Sequence, residues 1–191
     1  MSALAARKVS VEEYLAYEDP SGIQYEYRHG EMFPIADLSY AHAAIIGNTI
    51  GVLRGPSREK GCSVLGQPNI RITASIYVVP DVAVVCGKPE IGQAGRLTNP
   101  KLVIEVLSPS TEDYDGTGKR RLYCGLPSLA EYVLISQDQP LVEVFRKTAG
   151  FWQVHQFTGL DAVVTLESLG IAIPLAEIYL GVELPNGTTV I

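Results

Sequence analysis

The sequence predicts an α/β (α+β) fold whose central mixed β-sheet is flanked by helices. Two observations indicate the sheet: segments rich in Val and Ile recur through the middle of the chain, and two of them are apolar almost throughout, as in strands covered on both faces. A third indicates the helices, because segments with helical spacing precede and separate these strands. At 191 residues the chain fits a single domain, residues 1–191, and we expect its core from about residue 10 to about residue 180.

The N-terminal part predicts a short helix and a β-hairpin. In "VSVEEYLAYED", Ser10 can cap a helix, and two glutamates follow in the first turn. The segment "YEYRHGEMFPI" alternates large and polar residues around His29 and Gly30, as in a hairpin whose tight turn uses the glycine. The alternation predicts that Glu26 and the tyrosines on either side of it lie on opposite faces of the hairpin.

The middle of the chain predicts a buried helix, three strands and a second helix. The first helix begins at Ser39 and continues to about Leu53, since "SYAHAAIIGNTIGVL" contains no proline and many small or apolar residues. The second helix runs from Thr117 to about Leu126. The strands between the helices are "CSVLGQPNIRI", "SIYVVPDVAVV", which Pro80 interrupts, and "KLVIEVL".

The C-terminal part predicts an antiparallel meander. Three segments, "EYVLIS", "LVEVFRK" and "FWQVHQF", have the composition of strands. Their connections are too short for a parallel crossover, so neighbouring strands must run in opposite directions.

Composition and charge exclude several classes of function. The net charge is −6 and the basic residues are scattered apart from the run Lys119 to Arg121, so broad neutralisation of nucleic-acid phosphates is not expected. No apolar run approaches the roughly 20 residues that span a bilayer, and the N-terminus lacks the features of a secretory signal. We therefore expect a cytoplasmic protein with no membrane-spanning segment.

The three cysteines predict the same compartment. Cys62, Cys86 and Cys124 are far apart, odd in number and form no CxxC pair. That pattern is typical of reduced thiols in the cytosol rather than of a disulfide framework or a zinc site. We expect all three to be free thiols.

Two carboxylates stand out because each lies within an apolar strand. Asp81 is embedded in "VVPDVAVV" and Glu105 in "LVIEVL". Either residue alone could face solvent, since alternate side chains of a strand point outward. A buried carboxylate is instead paired, hydrogen-bonded or bound to a cation. If the two strands are neighbours, both residues can converge on a hard divalent cation such as Mg²⁺.

Two further residues could act beside these acids. Lys119, on the helix after Glu105, could point back across the end of the sheet and place its ammonium near a phosphate or a water. As an alternative, it is an ordinary solvated lysine. His42, in the first turn of the Ser39 helix, could approach the same site or simply belong to a capped helix end.

Other catalytic motifs are absent from the sequence. The segment "DGTGKRR" lacks the first glycine of a phosphate-binding P-loop, and Arg120 replaces the Ser or Thr that would hold Mg²⁺. No GxSxG, HExxH or glycine-rich dinucleotide fingerprint occurs. A two-carboxylate glycosidase would need an aromatic-lined groove, which a chain with one Trp and no supporting motif does not indicate.

Several motifs in a fixed order resemble the Uma2 family, also called DUF820. They are "VSVEEYLAYE", "YEYRHGE", "PDVAVV", "NPKLVIEVLSPSTEDYD", a following K and LY, and "LPSLAEYVLISQDQPLVEVFRK". This family is grouped with the restriction endonucleases of the PD-(D/E)XK nuclease superfamily and is widespread in cyanobacteria. The resemblance covers nearly the whole chain.

The resemblance implies a restriction-endonuclease-like core and a DNA endonuclease that depends on Mg²⁺ or Mn²⁺. On it, Asp81 and Glu105 are similar to the family's metal-binding acids, and Glu26 to an extra acid near the metal. The superfamily's catalytic lysine usually follows the acid by two residues, but Leu107 stands there. The resemblance implies that Lys119 supplies this group from the next helix.

The same resemblance implies supporting roles and partners. Asp115 and Tyr123 match the pattern D-x3-K-x3-Y and would frame the catalytic lysine. His29 departs from the family, which commonly has an acid in this turn. DNA would be the substrate, and a homodimer would suit an enzyme that cuts both strands. An alternative is an inactive nuclease-fold module with an interaction or regulatory role.

Overall fold

The chain folds into twelve β-strands and four α-helices within residues 8–35, 37–108, 118–185 and 187–191, which are those that the computed structural model describes. In chain order these elements are α1 (Val11–Ala16), β1 (Tyr25–Arg28), β2 (Glu31–Pro34), α2 (Tyr40–Glu59), β3 (Cys62–Gly66), β4 (Ile70–Thr73), β5 (Ile76–Val78), β6 (Val82–Cys86), β7 (Leu102–Leu107), α3 (Arg120–Cys124), β8 (Glu131–Ser136), β9 (Leu141–Thr148), β10 (Phe151–Thr158), β11 (Val163–Leu166), β12 (Ile171–Pro174) and α4 (Leu175–Ile178).

The N-terminal helix and hairpin are confirmed. The Ser10 hydroxyl accepts a hydrogen bond from the Glu13 N–H at 3.1 Å, and the Glu13 carboxylate accepts one from the Ser10 N–H at 2.7 Å. This reciprocal pair is a capping box, which fixes the start of α1. His29 and Gly30 both have positive φ, 50° and 96°, as a two-residue hairpin turn between β1 and β2 requires.

A six-stranded mixed sheet forms the centre of the fold, as predicted. Its order is β10-β9-β8-β7-β6-β3, and only the β7–β8 pair is parallel among these described strands. The strands β8, β9 and β10 form the predicted C-terminal meander.

A second sheet, of order β2-β1-β5-β4, contains the N-terminal hairpin. The chain passes from this sheet to the six-stranded sheet through α2, returns after β3 and crosses again after β5. Two segments predicted as single strands are therefore each divided between the sheets. At the crossing after β5, Pro80 has no N–H to donate, which ends pairing in one sheet before pairing in the other begins.

The two faces of the six-stranded sheet bury separate apolar clusters. On one face, Val82, Ile104 and Val106 pack with α2, β11, β12 and α4. On the other, Ala83 and Val103 pack with residues of the second sheet and of α3. Because neighbouring side chains of a strand alternate, the residue between Ile104 and Val106 points toward the second sheet and α3. The first cluster extends along the chain to include Leu184 and Val190.

The helices differ in length from the predicted ones. The helix capped by Ser39 is confirmed but continues to Glu59, through Pro56 near its end. The helix α3 spans Arg120–Cys124, shorter than predicted, and Thr117 lies outside the described residues. None of the described helices combines the length and the apolar character needed to cross a membrane.

The prediction that all three cysteines are free thiols is wrong. Cys62 and Cys86 form a disulfide, and Cys124 is the remaining free cysteine. The pairing follows from register, because β3 and β6 are antiparallel neighbours in which Cys62 stands directly opposite Cys86. A separation of 24 residues in the sequence does not reveal that register.

Candidate active site

Three buried carboxylates come together where the chain crosses from the second sheet to the six-stranded sheet. Glu26 lies on β1, Asp81 immediately precedes β6, and Glu105 lies in the middle of β7. Their exposed fractions are 5%, 8% and 2%. Three side chains of one sign cannot be buried together without hydrogen-bond donors and compensating positive charge.

Asp81 and Glu105 are neighbours because β6 and β7 pair. Val82 stands opposite Ile104 in the antiparallel register. Asp81, which precedes Val82, is therefore brought next to Glu105, which follows Ile104. The Asp81 N–H donates to a Glu105 carboxylate oxygen at 3.3 Å, and the Val106 N–H donates to Asp81 Oδ2 at 2.8 Å. Each carboxylate is therefore held by a backbone donor of the other strand.

Glu26 reaches the same place from the second sheet. Its carboxylate Oε1 accepts a hydrogen bond from the Val79 N–H at 3.2 Å, within the crossing segment that leads to Asp81. The next residue, Tyr27, points to the opposite face and stacks on Tyr14 with ring centroids 4.9 Å apart. The predicted division of the hairpin's two faces is thus present, with Glu26 on the inner one.

Lys119 places a positive charge between two of these acids. Its Nζ lies 3.1 Å from Glu26 Oε1 and 3.2 Å from Glu105 Oε1, and the residue is only 9% exposed. It has helical backbone angles and directly precedes α3. Leu107, where the superfamily's lysine would stand, packs instead against the apolar cluster between the sheets. Lys119 thus bridges the two sheets through their carboxylates.

His42 approaches from α2. The backbone N–H of His42 donates at 3.2 Å to the hydroxyl of Ser39, the residue that caps the start of α2. The ring Nε2 of His42 lies 3.1 Å from Asp81 Oδ2. The side chain is buried. The histidine ring therefore contacts the same Asp81 oxygen that accepts the Val106 N–H.

Tyr123 lies one helical turn after Lys119 and is fully buried. Burial raises the pKa of its hydroxyl well above the usual value, and the negative charges of Glu105 and Glu26 raise the pKa further. The phenol therefore stays protonated at neutral pH and can act as a hydrogen-bond donor to Glu105 but not as a base.

The structure thus brings together six of the residues singled out from the sequence: Glu26, His42, Asp81, Glu105, Lys119 and Tyr123. Asp115, the seventh, lies outside the described residues.

One neighbour of the site has no clear signal in the sequence. Gln67, at the crossing after β3, donates its N–H to the Asp81 carbonyl oxygen at 2.9 Å. Its φ of 44° is left-handed, although it is not a glycine and although it precedes a proline. The turn residues "GQP" are the signal that could have suggested a break there, but the predicted strand "CSVLGQPNIRI" runs through them.

The charges of the site do not balance among these residues. Three carboxylates face one ammonium, a formal excess of two negative charges if His42 is neutral. Carboxylate oxygens are the ligands that Mg²⁺ and Mn²⁺ prefer. As the side chains stand, no group of three His, Cys, Asp or Glu residues in the described part of the chain is placed to hold a metal ion. The ammonium of Lys119 lies between two of the acids.

Comparison with known proteins identifies relatives along the whole site-bearing region. A sequence model of the Uma2 family, described as "Putative restriction endonuclease", matches residues 11–176. An uncharacterized protein of Synechocystis, slr1290, is 32% identical over 178 residues, which cover 91% of this chain and 93% of that protein. A second Synechocystis protein, sll1609, is 29% identical and covers 86% of this chain and 96% of its own.

A solved structure shares the fold. It is described as a "putative nuclease belonging to DUF820" from Anabaena variabilis. Its TM-score is 0.72 at 18% identity, and the match covers 89% of this chain and 97% of the other. The predicted restriction-endonuclease-like fold is thus confirmed. With the family match spanning the region from α1 to α4, the chain belongs to the Uma2 family.

Proposed function

We propose that this protein is an endonuclease that hydrolyses DNA phosphodiester bonds with the help of Mg²⁺ or Mn²⁺. The observation that carries the proposal is the convergence of three buried carboxylates and one buried lysine from four separate segments of the chain. A fold with no use for these charges would be more stable with apolar residues there. The family description and the structural relative support a nuclease over other hydrolases.

The donor set fits a hard divalent cation. Asp81 and Glu105 would hold the ion, with Glu26 as a third acid, because their oxygen ligands and excess negative charge suit Mg²⁺ or Mn²⁺. When bound, such an ion lowers the pKa of a coordinated water and neutralises phosphate charge.

The remaining residues position these groups and the substrate. Lys119 can donate hydrogen bonds to a phosphate oxygen or to the attacking water, and the two carboxylates beside it orient its ammonium. His42 fixes the orientation of Asp81. Tyr123, kept protonated by its surroundings, can donate to Glu105 and so restrict its rotation.

The test is cleavage of supercoiled plasmid DNA with Mg²⁺, Mn²⁺ or EDTA. We expect nicking or linearisation that needs a divalent ion and falls about 100-fold or more in Glu105→Gln and in Lys119→Met, since each removes a charge that acts at the reacting phosphate. Both substitutions keep the size of the side chain and so limit changes in folding.

Two exposed residues in the loop after β6 supply matched controls. Lys88→Met and Glu90→Gln make the same chemical changes away from the site and should leave cleavage unchanged. If no divalent ion supports cleavage, or if all four variants cleave like the unmodified protein, the proposal fails. The inactive nuclease-fold module would then be the better description.

A further inference from the structure

We infer that a basic aromatic face on α3, β9 and β10 binds single-stranded DNA beside the candidate active site. This face comprises Arg120, Arg121, Phe145, Lys147 and Trp152. A depression of about 440 Å³ is lined by these residues except Lys147, together with Cys124 and Val154, and Lys147 lies beside the Trp152 ring. The inference deepens the proposed function, on which it rests for the identity of the bond to be cut. Binding itself is independent of the cleavage reaction.

The register of the meander builds this face. In the β9–β10 pair, Lys147 stands opposite Trp152 and Phe145 stands opposite Val154, so all four side chains share one face of the sheet. Val144 and Arg146, the neighbours of Phe145 in β9, point to the other face and are buried. The strand β10 is at the edge of the sheet, so the face borders open solvent.

The face concentrates positive charge in a chain whose net charge is −6. The Arg120 guanidinium lies 4.7 Å from the centre of the Phe145 ring, and the Lys147 ammonium lies 6.0 Å from the centre of the Trp152 ring. In the described part of the chain, neither Arg121 nor Lys147 forms a salt bridge, and both are exposed. These cations are available to phosphate groups.

The combination of rings and cations indicates the chemistry of the ligand. Aromatic side chains stack on the faces of nucleobases, and Arg or Lys beside them neutralises the backbone, which is how single-stranded DNA is bound without sequence preference. A duplex keeps its bases stacked on each other and would gain only the phosphate contacts. Glu143, farther along the same face, is engaged by the Gln156 amide at 2.8 Å and bounds the basic region.

The face adjoins the candidate active site through both the backbone and a row of rings. Arg120 directly follows Lys119, so one residue serves the face and its neighbour serves the carboxylates. Tyr123 beside Glu105 lies 5.5 Å from Tyr132, which lies 6.2 Å from Phe145, measured between ring centres. The face and the carboxylates are therefore neighbours in the fold, joined at the start of α3.

Trp152 makes the test direct, because it is the only tryptophan of the chain. The 191-residue protein is titrated in EDTA with a thymidine oligonucleotide of about 10 nucleotides, a length within the range that one small binding surface covers. We expect quenching of Trp152 fluorescence and an affinity that falls as salt rises. An unchanged emission at saturating oligonucleotide overturns the inference.

A charge-matched pair of double variants separates this face from general electrostatics. Arg121→Ala with Lys147→Ala should weaken binding about tenfold or more and reduce the slope of log affinity against log salt by about 1.4, the value for two lost phosphate contacts on a single strand. Arg54→Ala with Lys88→Ala removes two exposed cations elsewhere and should change neither quantity. Equal losses in both pairs overturn the inference.

A stacking variant tests the aromatic part with a labelled oligonucleotide. Trp152→Ala should lower the affinity about tenfold, and Trp152→Phe should restore most of it, while thermal unfolding confirms that both variants fold. A duplex of the same length that binds as tightly as the single strand contradicts the inference.

The two proposals fail separately. Quenching without any metal-dependent cleavage would refute the nuclease and leave this binding face. Cleavage without quenching would refute the face and leave the nuclease.

Discussion

At the scale of single residues, Lys119 would, under the proposed function, have opposite effects on metal binding and on cleavage. Its ammonium lies within 3.2 Å of carboxylate oxygens that the proposal also assigns to a divalent ion. Repulsion between two cations weakens binding of the second. The Lys119 ammonium should therefore weaken metal binding. Under the proposed function it contributes to the cleavage reaction instead.

Substitution Lys119→Met should separate these effects. We expect Mn²⁺ to bind about tenfold more tightly, because the competing charge is gone, while cleavage is lost. Calorimetric titration of Mn²⁺ and the plasmid assay give the two readings, with Lys88→Met as the exposed control. A variant that loses Mn²⁺ binding along with cleavage would show that Lys119 only supports the folded site.

The sequence indicates most residues of the candidate site, but it does not indicate the hydrogen bonds that hold their carboxylates in place. Asp81 and Glu105 are visible as charges within apolar strands, and the family pattern indicates Lys119, Glu26 and Tyr123. The backbone donors that hold the carboxylates carry no signal, since any residue type supplies an N–H.

At the scale of elements, a buried ion pair ties the meander to the β11–β12 hairpin. The Arg146 guanidinium on β9 donates to Glu131 on β8 at 2.9 Å and to the Thr165 carbonyl at 2.9 Å. Glu131 is fully buried and also accepts from the N–H groups of Glu167 and Ser168, at 3.1 Å each. One carboxylate and one guanidinium thus join three segments.

We expect Arg146→Met to lower the free energy of unfolding by about 3–5 kcal/mol, because it leaves the Glu131 carboxylate buried without its cation. Glu143→Ala, at a partly exposed position of the same strand, should change it by about 0.5 kcal/mol or less. Urea unfolding measures both. Similar, small losses of unfolding free energy in the two variants would mean that the N–H groups of Glu167 and Ser168 are enough to stabilise the buried Glu131 carboxylate.

The kinds of element followed from the sequence, but their grouping into sheets did not. Val-rich and Ile-rich segments predict strands by composition, and Ser10 and Ser39 predict helix starts by their hydroxyls. Which sheet a strand joins depends on contacts distant in sequence. The divided strands on either side of Gln67 and Pro80, and the Cys62–Cys86 pairing, are consequences of such contacts.

At the scale of the whole molecule, two buried phenols link stability to pH. Burial raises the pKa of Tyr179 and of Tyr123 well above the usual value of about 10. The folded state therefore holds these protons more tightly than the unfolded state. Their contribution to stability is complete below about pH 10 and is lost as the pH rises toward the folded-state values.

We expect the urea midpoint to fall clearly between about pH 8 and about pH 11. The urea midpoint of Tyr179→Phe should fall less over that interval. This variant should also be less stable at pH 8 by about 1–3 kcal/mol, because it loses the Tyr179 hydroxyl, which donates to the Ser136 carbonyl at 2.6 Å and accepts the Leu141 N–H. Tyr40→Phe, at a position 78% exposed, is the control and should follow the unmodified protein. Identical pH dependence in all three proteins would contradict the assignment.

The most direct test of the central claim is whether the carboxylate cluster binds a divalent ion. Calorimetric titration of Mn²⁺ into the metal-free protein should show saturable binding that weakens about tenfold or more in Asp81→Asn and remains unchanged in Glu90→Gln, because only the first residue belongs to the cluster. If the unmodified protein binds no Mn²⁺, or if Asp81→Asn binds it as tightly as Glu90→Gln does, the cluster is not a metal centre.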